Sequence, residues 1–437
     1  MEPSVVAMGL ARLIAATLAC GVALVACSPG PSPTGQAKSG QGGGQVASGG
    51  PSVSPTRVPP GPSPAATCVP SADTRALAGP VAAYFWGHRG AGCATVLLMN
   101  GSGQLSTVTT KLNHASQFVC RDGKQAQPSP SAGLTPGPAY SVTKNRIYWW
   151  DGHLVRWLDR NGTQGSEVLD AGPKAGLEFS VSPDDARTII TAIDFGKWPL
   201  HRTTWIEDVG TRANKVVIVN TTLSNPAAVG STGWPWGWQN GRPVLFDFPL
   251  CVTLGGDQWI GLSYPRVVDP TIGVTLVKFP KCYGGAITPG GIFCTASFVA
   301  RALEMYDWTG KRVKSWALSK DTVACDGDPS PSGSRVLAYC EYNIYTQRLS
   351  GPTTQQFLFG PGPALPKTLA QAQPLRWLDN DLMLETQTQN DGTNQSAVYV
   401  WSLSRQAVVA GPIAIPGWYN VPRQWFNAEP PPTRLLA

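Results

Sequence analysis

The segments Ser182-Pro-Asp-Asp-Ala-Arg-Thr-Ile-Ile-Thr-Ala192 and Ser330-Pro-Ser-Gly-Ser-Arg-Val-Leu-Ala-Tyr339 decide the fold class. Each begins with a turn and continues into a short apolar strand. Proline presets one backbone angle of the turn, Asp or Ser caps it, and glycine accepts a positive φ. Looser copies of this unit share the turn and the apolar run, at Val81–Trp86, Asn145–Trp150, Gln239–Asp247, Thr288–Ala296 and Trp377–Leu384.

These copies recur at intervals of roughly 40 to 55 residues, the length of four short strands and their turns. Helical periodicity is absent, and short apolar runs alternate with Gly, Pro, Asn and Asp. The clearest hairpin is Ile147–Leu158, where Asp151-Gly152 separates two strand-like runs. The sequence therefore predicts an all-β fold, a β-propeller of seven blades. Six or eight blades, or a β-sandwich pair with unrelated Ser-Pro turns, are the alternatives.

The repeated unit resembles that of the TolB-like and WD40-like propellers, whose blades carry Ser-Pro-Asp-Gly-Lys-x-hydrophobic at the turn into the second strand. The match is good at Ser182 and Ser330 and degraded elsewhere, and no Trp-Asp pair closes the blades regularly. The resemblance implies the fold, and it implies far less about function because propellers serve many activities.

The first 26 residues predict an export signal. Arg12 precedes an uncharged apolar run, Leu13–Ala26, which is too short to cross a hydrocarbon core of roughly 30 Å. Leu24-Val25-Ala26-Cys27 resembles the lipobox of bacterial lipoproteins, which implies that Cys27 is acylated and becomes the first residue of the mature chain. We therefore expect a protein held on a membrane, at its extracytoplasmic face, by acyl chains on Cys27.

Residues 27–67 predict a disordered tether after the lipidated cysteine, and residues 68–437 the propeller domain. The tether is almost wholly Gly, Pro, Ser, Ala, Gln and Thr, without an aromatic residue. Such a segment buries too little apolar surface to offset the entropy of ordering.

Eight cysteines remain after Cys20 and Cys27 are set aside, and an even number in an exported chain favours disulfides. Cys282 and Cys294 lie symmetrically about a Thr-Pro-Gly turn, and Cys325 and Cys340 about a Pro-Ser-Gly turn. Residues equidistant from a hairpin turn face each other, so we predict these two bridges. The pairing of the other four stays open: Cys68, Cys93, Cys120 and Cys251.

Trp234-Pro-Trp-Gly-Trp238 places three indoles at alternate positions, which puts Trp234, Trp236 and Trp238 on one face of a regular strand. An exposed row of indoles would stack on sugar rings. Packing between blades is the alternative reading of the same pattern. Asp326-Gly-Asp328 and the stretch 390–394 are rich in oxygen donors but lack the spacing of a calcium loop, so ordinary turn chemistry is the simpler interpretation.

Composition narrows the function classes. Charged residues make up 14% of the chain and the net charge is +7, without a basic stripe, so we expect no nucleic-acid binding. No Cys-x-x-Cys pair, Gly-x-Ser-x-Gly motif or phosphate-binding glycine loop occurs, and four scattered histidines predict no zinc site. We expect a monomer, without metal or cofactor, that binds a protein or a cell-envelope glycan.

The alternative is a secreted propeller enzyme: a glycan lyase, a hydrolase or a quinone-type dehydrogenase, with its site at the central funnel. A Ser-His-Asp set or paired carboxylates from distant blades would escape recognition in the sequence. A funnel cluster with displaced pKa values would favour the enzyme, and a funnel lined by small neutral side chains would favour the binding protein.

Overall fold

The computed structural model describes the greater part of the chain after residue 67: 68–88, 93–112, 118–121, 125–128, 140–168, 175–194, 199–224, 233–247, 264–280, 282, 285–294, 302–318, 322–342, 354–366, 369, 376–388, 395–419 and 433–434. The predicted signal peptide, Cys27 and the predicted tether lie outside these residues, as do Cys251 and the stretch 390–394.

Seven small antiparallel sheets follow one another along the chain and form the seven blades of a β-propeller. The first four blades are built from these strands: blade 1, β1 (Ser71–Asp73), β2 (Val81–His88), β3 (Cys93–Asn100) and β4 (Leu105–Lys111); blade 2, β7 (Tyr140–Val142), β8 (Arg146–Trp150), β9 (Leu154–Asp159) and β10 (Gln164–Val168); blade 3, β11 (Ala175–Val181), β12 (Arg187–Asp194), β13 (Leu200–Asp208) and β14 (Val216–Leu223); blade 4, β15 (Trp234–Gln239), β16 (Arg242–Asp247), β17 (Tyr264–Val268) and β18 (Thr275–Lys278). The remaining strands are: blade 5, β19 (Gly285–Thr288), β20 (Gly291–Cys294), β21 (Ala302–Tyr306) and β22 (Arg312–Ala317); blade 6, β23 (Thr322–Pro329), β24 (Val336–Tyr342) and β25 (Thr354–Phe359); blade 7, β26 (Arg376–Trp377), β27 (Leu382–Thr388), β28 (Gln395–Ser402) and β29 (Ala407–Tyr419); a separate hairpin, β5 (Phe118–Arg121) and β6 (Gln125–Pro128); and β30 (Thr433–Arg434).

The buried core lies between the blades, in layers. One apolar cluster joins blade 1 to blade 2, with Phe85 and Leu98 packed against Trp149, and comparable clusters occupy the five seams from blade 2 to blade 7. A seventh cluster joins Leu384 of blade 7 to Leu97 of blade 1, which closes the circle. Each blade therefore buries its two faces against its neighbours, as stacked sheets in a ring must.

Blade 1 combines strands from both ends of the described chain. Ala82 and Ala83 of β2 pair with β30, and Ser71–Asp73 of β1 adds a further strand outside β4. The C-terminal strand thus takes the inner position that the first strand occupies in the other blades. All seven blades and their closure are contained within residues 71–434, so this part of the chain holds the whole of its own core.

The predicted turns lie where the sequence placed them. Ser182–Ala186 joins β11 to β12, and Ser330–Arg335 joins β23 to β24, which are the first and second strands of their blades. In each turn the serine Oγ accepts the N–H that begins the second strand, Arg187 at 2.9 Å and Arg335 at 3.2 Å. The seven-bladed fold is confirmed. Within the residues described, no helix is long and apolar enough to span a bilayer.

Two disulfide pairings are defined among the residues that the structure describes. Cys282 is bonded to Cys294, the pair predicted about the turn before β20, and Cys68 to Cys93, a pairing that the sequence left open. The strand register places Cys325 directly opposite Cys340, as the second predicted bridge requires. Disulfides of this kind persist in oxidising, extracytoplasmic compartments.

Candidate functional site

The seam between blades 3 and 4 contains a buried charged cluster. Arg202 of β13 faces Asp247 and Arg266 of blade 4, and Arg266 Nε lies 2.6 Å from Asp247 Oδ2. Arg202 is 8% exposed and Asp247 6%. Burial lowers the pKa of Arg202, while Asp247 raises it and Arg266 lowers it further.

The backbone of Gly233 fills the centre of this cluster. A Cβ on Gly233 would lie 3.4 Å from Arg202 Nη1, 3.4 Å from Asp247 Oδ1 and 3.6 Å from Arg266 Nη2. A Cβ at this position would therefore be in ordinary van der Waals contact with all three charged side chains, which approach the backbone of Gly233 from blades 3 and 4. The cluster thus links the two blades.

Glu178 lies on the same face of blade 3, nearer the axis of the ring. It belongs to β11, and the first strands of neighbouring blades contact one another around the centre, as β11 does with β7 and β15. Its side chain keeps partial contact with solvent and has no hydrogen-bond or ion-pair partner among the described residues. Burial raises its pKa to about 8, so this carboxyl is largely protonated at neutral pH.

The three tryptophans of β15 do not form the exposed row that alternation predicts. A β-bulge between Pro235 and Gly237 shifts the register, so that Trp234 is paired with Phe246 and Trp238 with Pro243. Since the pairing passes from an even to an odd position of β16, Trp234 and Trp238 point to opposite faces of the sheet.

Packing explains all three indoles. Trp234 and Trp238 are 7% and 6% exposed. Trp238 donates its Nε1 hydrogen to the carbonyl of Ser180 in blade 3 at 3.0 Å. Trp236 packs at 5.2 Å from the ring of Phe246, beside the seam with blade 5. The three indoles therefore do not share one exposed face, because Pro235 and Gly237 interrupt the regular pleat, and their surroundings are those of the packing alternative.

A small cleft lies between blades 2 and 3, beside Tyr148, Glu167, Glu207 and Arg212. Both carboxylates beside this cleft have partners within the protein. Glu167 accepts the N–H of Gly210 at 2.9 Å, and Glu207 accepts Trp205 Nε1 at 2.8 Å and faces Arg212. Burial raises the pKa of Glu167, and the N–H of Gly210 lowers it in part. The side chains that line this cleft therefore hold blades 2 and 3 together.

The turns at one face of the ring are locked by side chains. The turns between third and fourth strands share an Asp or Asn whose Oδ1 accepts backbone N–H groups two to four residues on: Asn100, Asp159, Asp269 and Asp307. At the opposite ends of the strands the connections include longer segments, of which 248–263 is one, between β16 and β17. The two faces therefore differ in the length of the connections between their strands.

The described residues contain no group of three His, Cys, Asp or Glu side chains placed to hold a metal ion. Ser102 donates its hydroxyl to Asn100 Oδ1 at 2.8 Å as part of a turn. Asp328 accepts the N–H of Trp377 at 2.7 Å and so joins the first strands of blades 6 and 7. Asp328 thus lies in strand β23 and is part of the framework, and it does not lie in a turn. Sequence reasoning missed Glu178 and the Arg202 cluster because neither carries a motif.

Comparison with known proteins gives resemblances of fold at low identity. No family model and no curated protein matches the chain. Among solved structures, a putative TolB from Agrobacterium tumefaciens shares 12% identity over 52% of this chain and 79% of its own, with a TM-score of 0.28. An acylaminoacyl peptidase from Pyrococcus horikoshii shares 13% over 73% of this chain, with a TM-score of 0.37.

A Synechocystis ACO variant shares 11% identity over 80% of this chain and 93% of its own, with a TM-score of 0.43. The chain spans 44% of the length of the Pyrococcus peptidase and 47% of a prolyl endopeptidase that it also resembles. At these identities and scores the resemblances carry no statement about activity.

Proposed function

We propose that this chain is an exported lipoprotein whose propeller binds a macromolecule, either a protein or a cell-envelope glycan, while acyl chains on Cys27 hold it at the membrane. A propeller offers a rigid body with two broad faces, and its connections vary without disturbing the layered core. The disulfides of the ring suit the same extracytoplasmic location.

The observation that carries the binding role is the contrast between the two faces of the ring. Turns such as Asp307–Lys311 are held by hydrogen bonds from the side chain that opens them. The strand ends at the other face are joined by segments of up to 16 residues, as between Asp247 and Tyr264. Loops presented by a rigid scaffold are where binding residues concentrate.

Affinity capture tests the binding role. The propeller, residues 68–437, is immobilised and exposed to a cell-envelope extract, and bound proteins and glycans are identified by mass spectrometry. We expect one protein or one polymer to be retained at high salt. Retention of nothing above the level of an unrelated propeller would contradict the proposal.

The second candidate is catalysis near the axis, and Glu178 is the observation that favours it. A carboxyl with a pKa of about 8 and no described partner is suited to donate a proton at neutral pH. Screening the propeller against envelope glycans, with the Glu178→Gln variant beside it, tests this alternative. Turnover that the variant loses by a hundredfold or more would establish it, and equal or absent turnover would exclude Glu178 as an acid.

A further inference from the structure

The outer rim of blade 4 exposes an aliphatic patch, defined by Ile272, Val274 and Leu276. Ile272 is 71% exposed, Val274 53% and Leu276 43%. Ile272 and Val274 come from the turn before β18, and Leu276 comes from β18 itself.

The turn that carries the patch packs against blade 3. A Cβ on Gly273, between Ile272 and Val274, would lie 2.9 Å from Cβ of Ile218, so the blade 4 turn lies directly against β14. Ile218 packs inward on the apolar cluster of this seam. The neighbouring aliphatic side chains point outward, where a soluble surface gains nothing from them.

A lysine flanks the patch. Lys278 lies two positions after Leu276 on β18 and stands 4.2 Å from the ring of Tyr264. This contact holds its amine beside the patch. The only carboxylate within the turn, Asp269, accepts the N–H groups of Thr271 and Ile272.

We propose that this patch is a membrane-contact surface that inserts its aliphatic side chains among the headgroups of anionic lipids. The inference rests on the proposed lipoprotein, since a tether of about 40 residues keeps the propeller near the bilayer and makes a weak contact effective. Aliphatic side chains beside a lysine match the interface of an anionic leaflet, and the net charge of +7 acts in the same direction. A second copy of the chain is disfavoured as the occupant because the same net charge opposes self-association.

Vesicle sedimentation tests the proposal on residues 68–437, which contain the complete ring. The probes are vesicles of phosphatidylcholine alone and of phosphatidylcholine with 30% phosphatidylglycerol. We expect partitioning onto the anionic vesicles at least tenfold above the neutral ones. The double variant Ile272→Asn with Leu276→Asn should lose at least tenfold of that partitioning.

The matched control changes two exposed aliphatic residues of other blades to asparagine, Val313→Asn with Val408→Asn, which are 49% and 50% exposed. The control should bind as the unaltered propeller does, and all three proteins should melt at the same temperature. Equal binding by the patch variant and the control, or no binding to either vesicle, would overturn the proposal.

If the patch variant instead loses a captured protein while vesicle binding is absent, the patch contacts a protein and the membrane assignment is wrong. None of these outcomes depends on Cys27, because the tested fragment, residues 68–437, does not include it. Failure here is therefore distinguishable from failure of the lipoprotein proposal.

Discussion

Asp185, in the turn between the first two strands of blade 3, accepts a hydrogen bond of 3.1 Å from the hydroxyl of Tyr148 in blade 2. Asn145 of blade 2 reaches the other carboxylate oxygen at 3.4 Å. Asp185 has a φ of +61°, at the position where the propeller pattern carries glycine. A left-handed residue other than glycine costs about 1 kcal/mol, and here the strained residue links two blades.

We expect Asp185→Ala to lower the free energy of unfolding by about 1–2 kcal/mol, because it keeps the strained backbone and loses the link to blade 2. Asp185→Gly should cost less, since glycine relieves the strain. Urea unfolding of both variants measures the difference. If Asp185→Gly proves the less stable of the two, backbone strain at residue 185 does not determine the difference in stability.

Removal of the Asp247 carboxylate breaks its ion pair with Arg266 and takes away a negative charge that acts on the buried Arg202. We expect Asp247→Ala to cost about 3 kcal/mol, in the range for breaking a buried ion pair. Asp73→Ala is the matched control, since the Asp73–Arg75 pair is exposed, at 78% and 54%, and such pairs contribute less than about 1 kcal/mol. Equal losses in urea unfolding would show that burial of the cluster does not matter.

The Cys282–Cys294 bridge closes a loop with a sequence separation of 12. Loop-closure entropy predicts that Cys282→Ala with Cys294→Ala costs about 3 kcal/mol. Chemical unfolding of the double variant checks this value, with a reducing agent as a second perturbation. A loss below about 1 kcal/mol would mean that the reduced chain already restrains these residues.

Glu178 gives the stability a defined pH dependence. Its carboxyl titrates at its usual pKa of 4.5 when unfolded and at about 8 when folded, so between these values unfolding releases a proton. Its contribution is fully present below pH 4.5 and is lost as the pH rises toward 8. The free energy of unfolding of Glu178→Gln should therefore rise relative to that of the unaltered protein as the pH rises. The expected gain at pH 8 is about 1–3 kcal/mol, a value reduced because the side chain is partly exposed. If the difference in free energy of unfolding between the two proteins stays constant from pH 4 to 8.5, the burial of this carboxyl is contradicted.

The repeating turn carried most of the fold prediction. Ser182 and Ser330 mark the same turn in two blades, and the looser copies mark it in four others, because each blade needs a tight reversal beside the axis. A second pattern in the sequence, which the prediction did not use, also marks the blades. Asn100-Gly-Ser-Gly103, Asp159-Arg-Asn-Gly162 and Asp307-Trp-Thr-Gly310 share one spacing, and all three glycines have φ near +80°, at +81°, +85° and +84°. Each marks the turn between third and fourth strands.

The features that the sequence does not predict depend on contacts between segments that are distant along the chain. The closure by Thr433–Arg434 carries no local signal, since two residues have no pattern. The Cys68–Cys93 bridge requires β1 to lie outside β4, which no turn announces. The bulge in β15 reverses the faces of its tryptophans, and period-two reasoning fails at any bulge.

The proposed attachment through Cys27 is tested most directly by intact-mass and N-terminal peptide mass spectrometry of the protein purified from host membranes in detergent. We predict a mature chain that begins at Cys27 and carries a diacylglyceryl thioether, with or without an acyl group on its amine. A chain that retains residues 1–26, or one with an unmodified Cys27, would contradict the account.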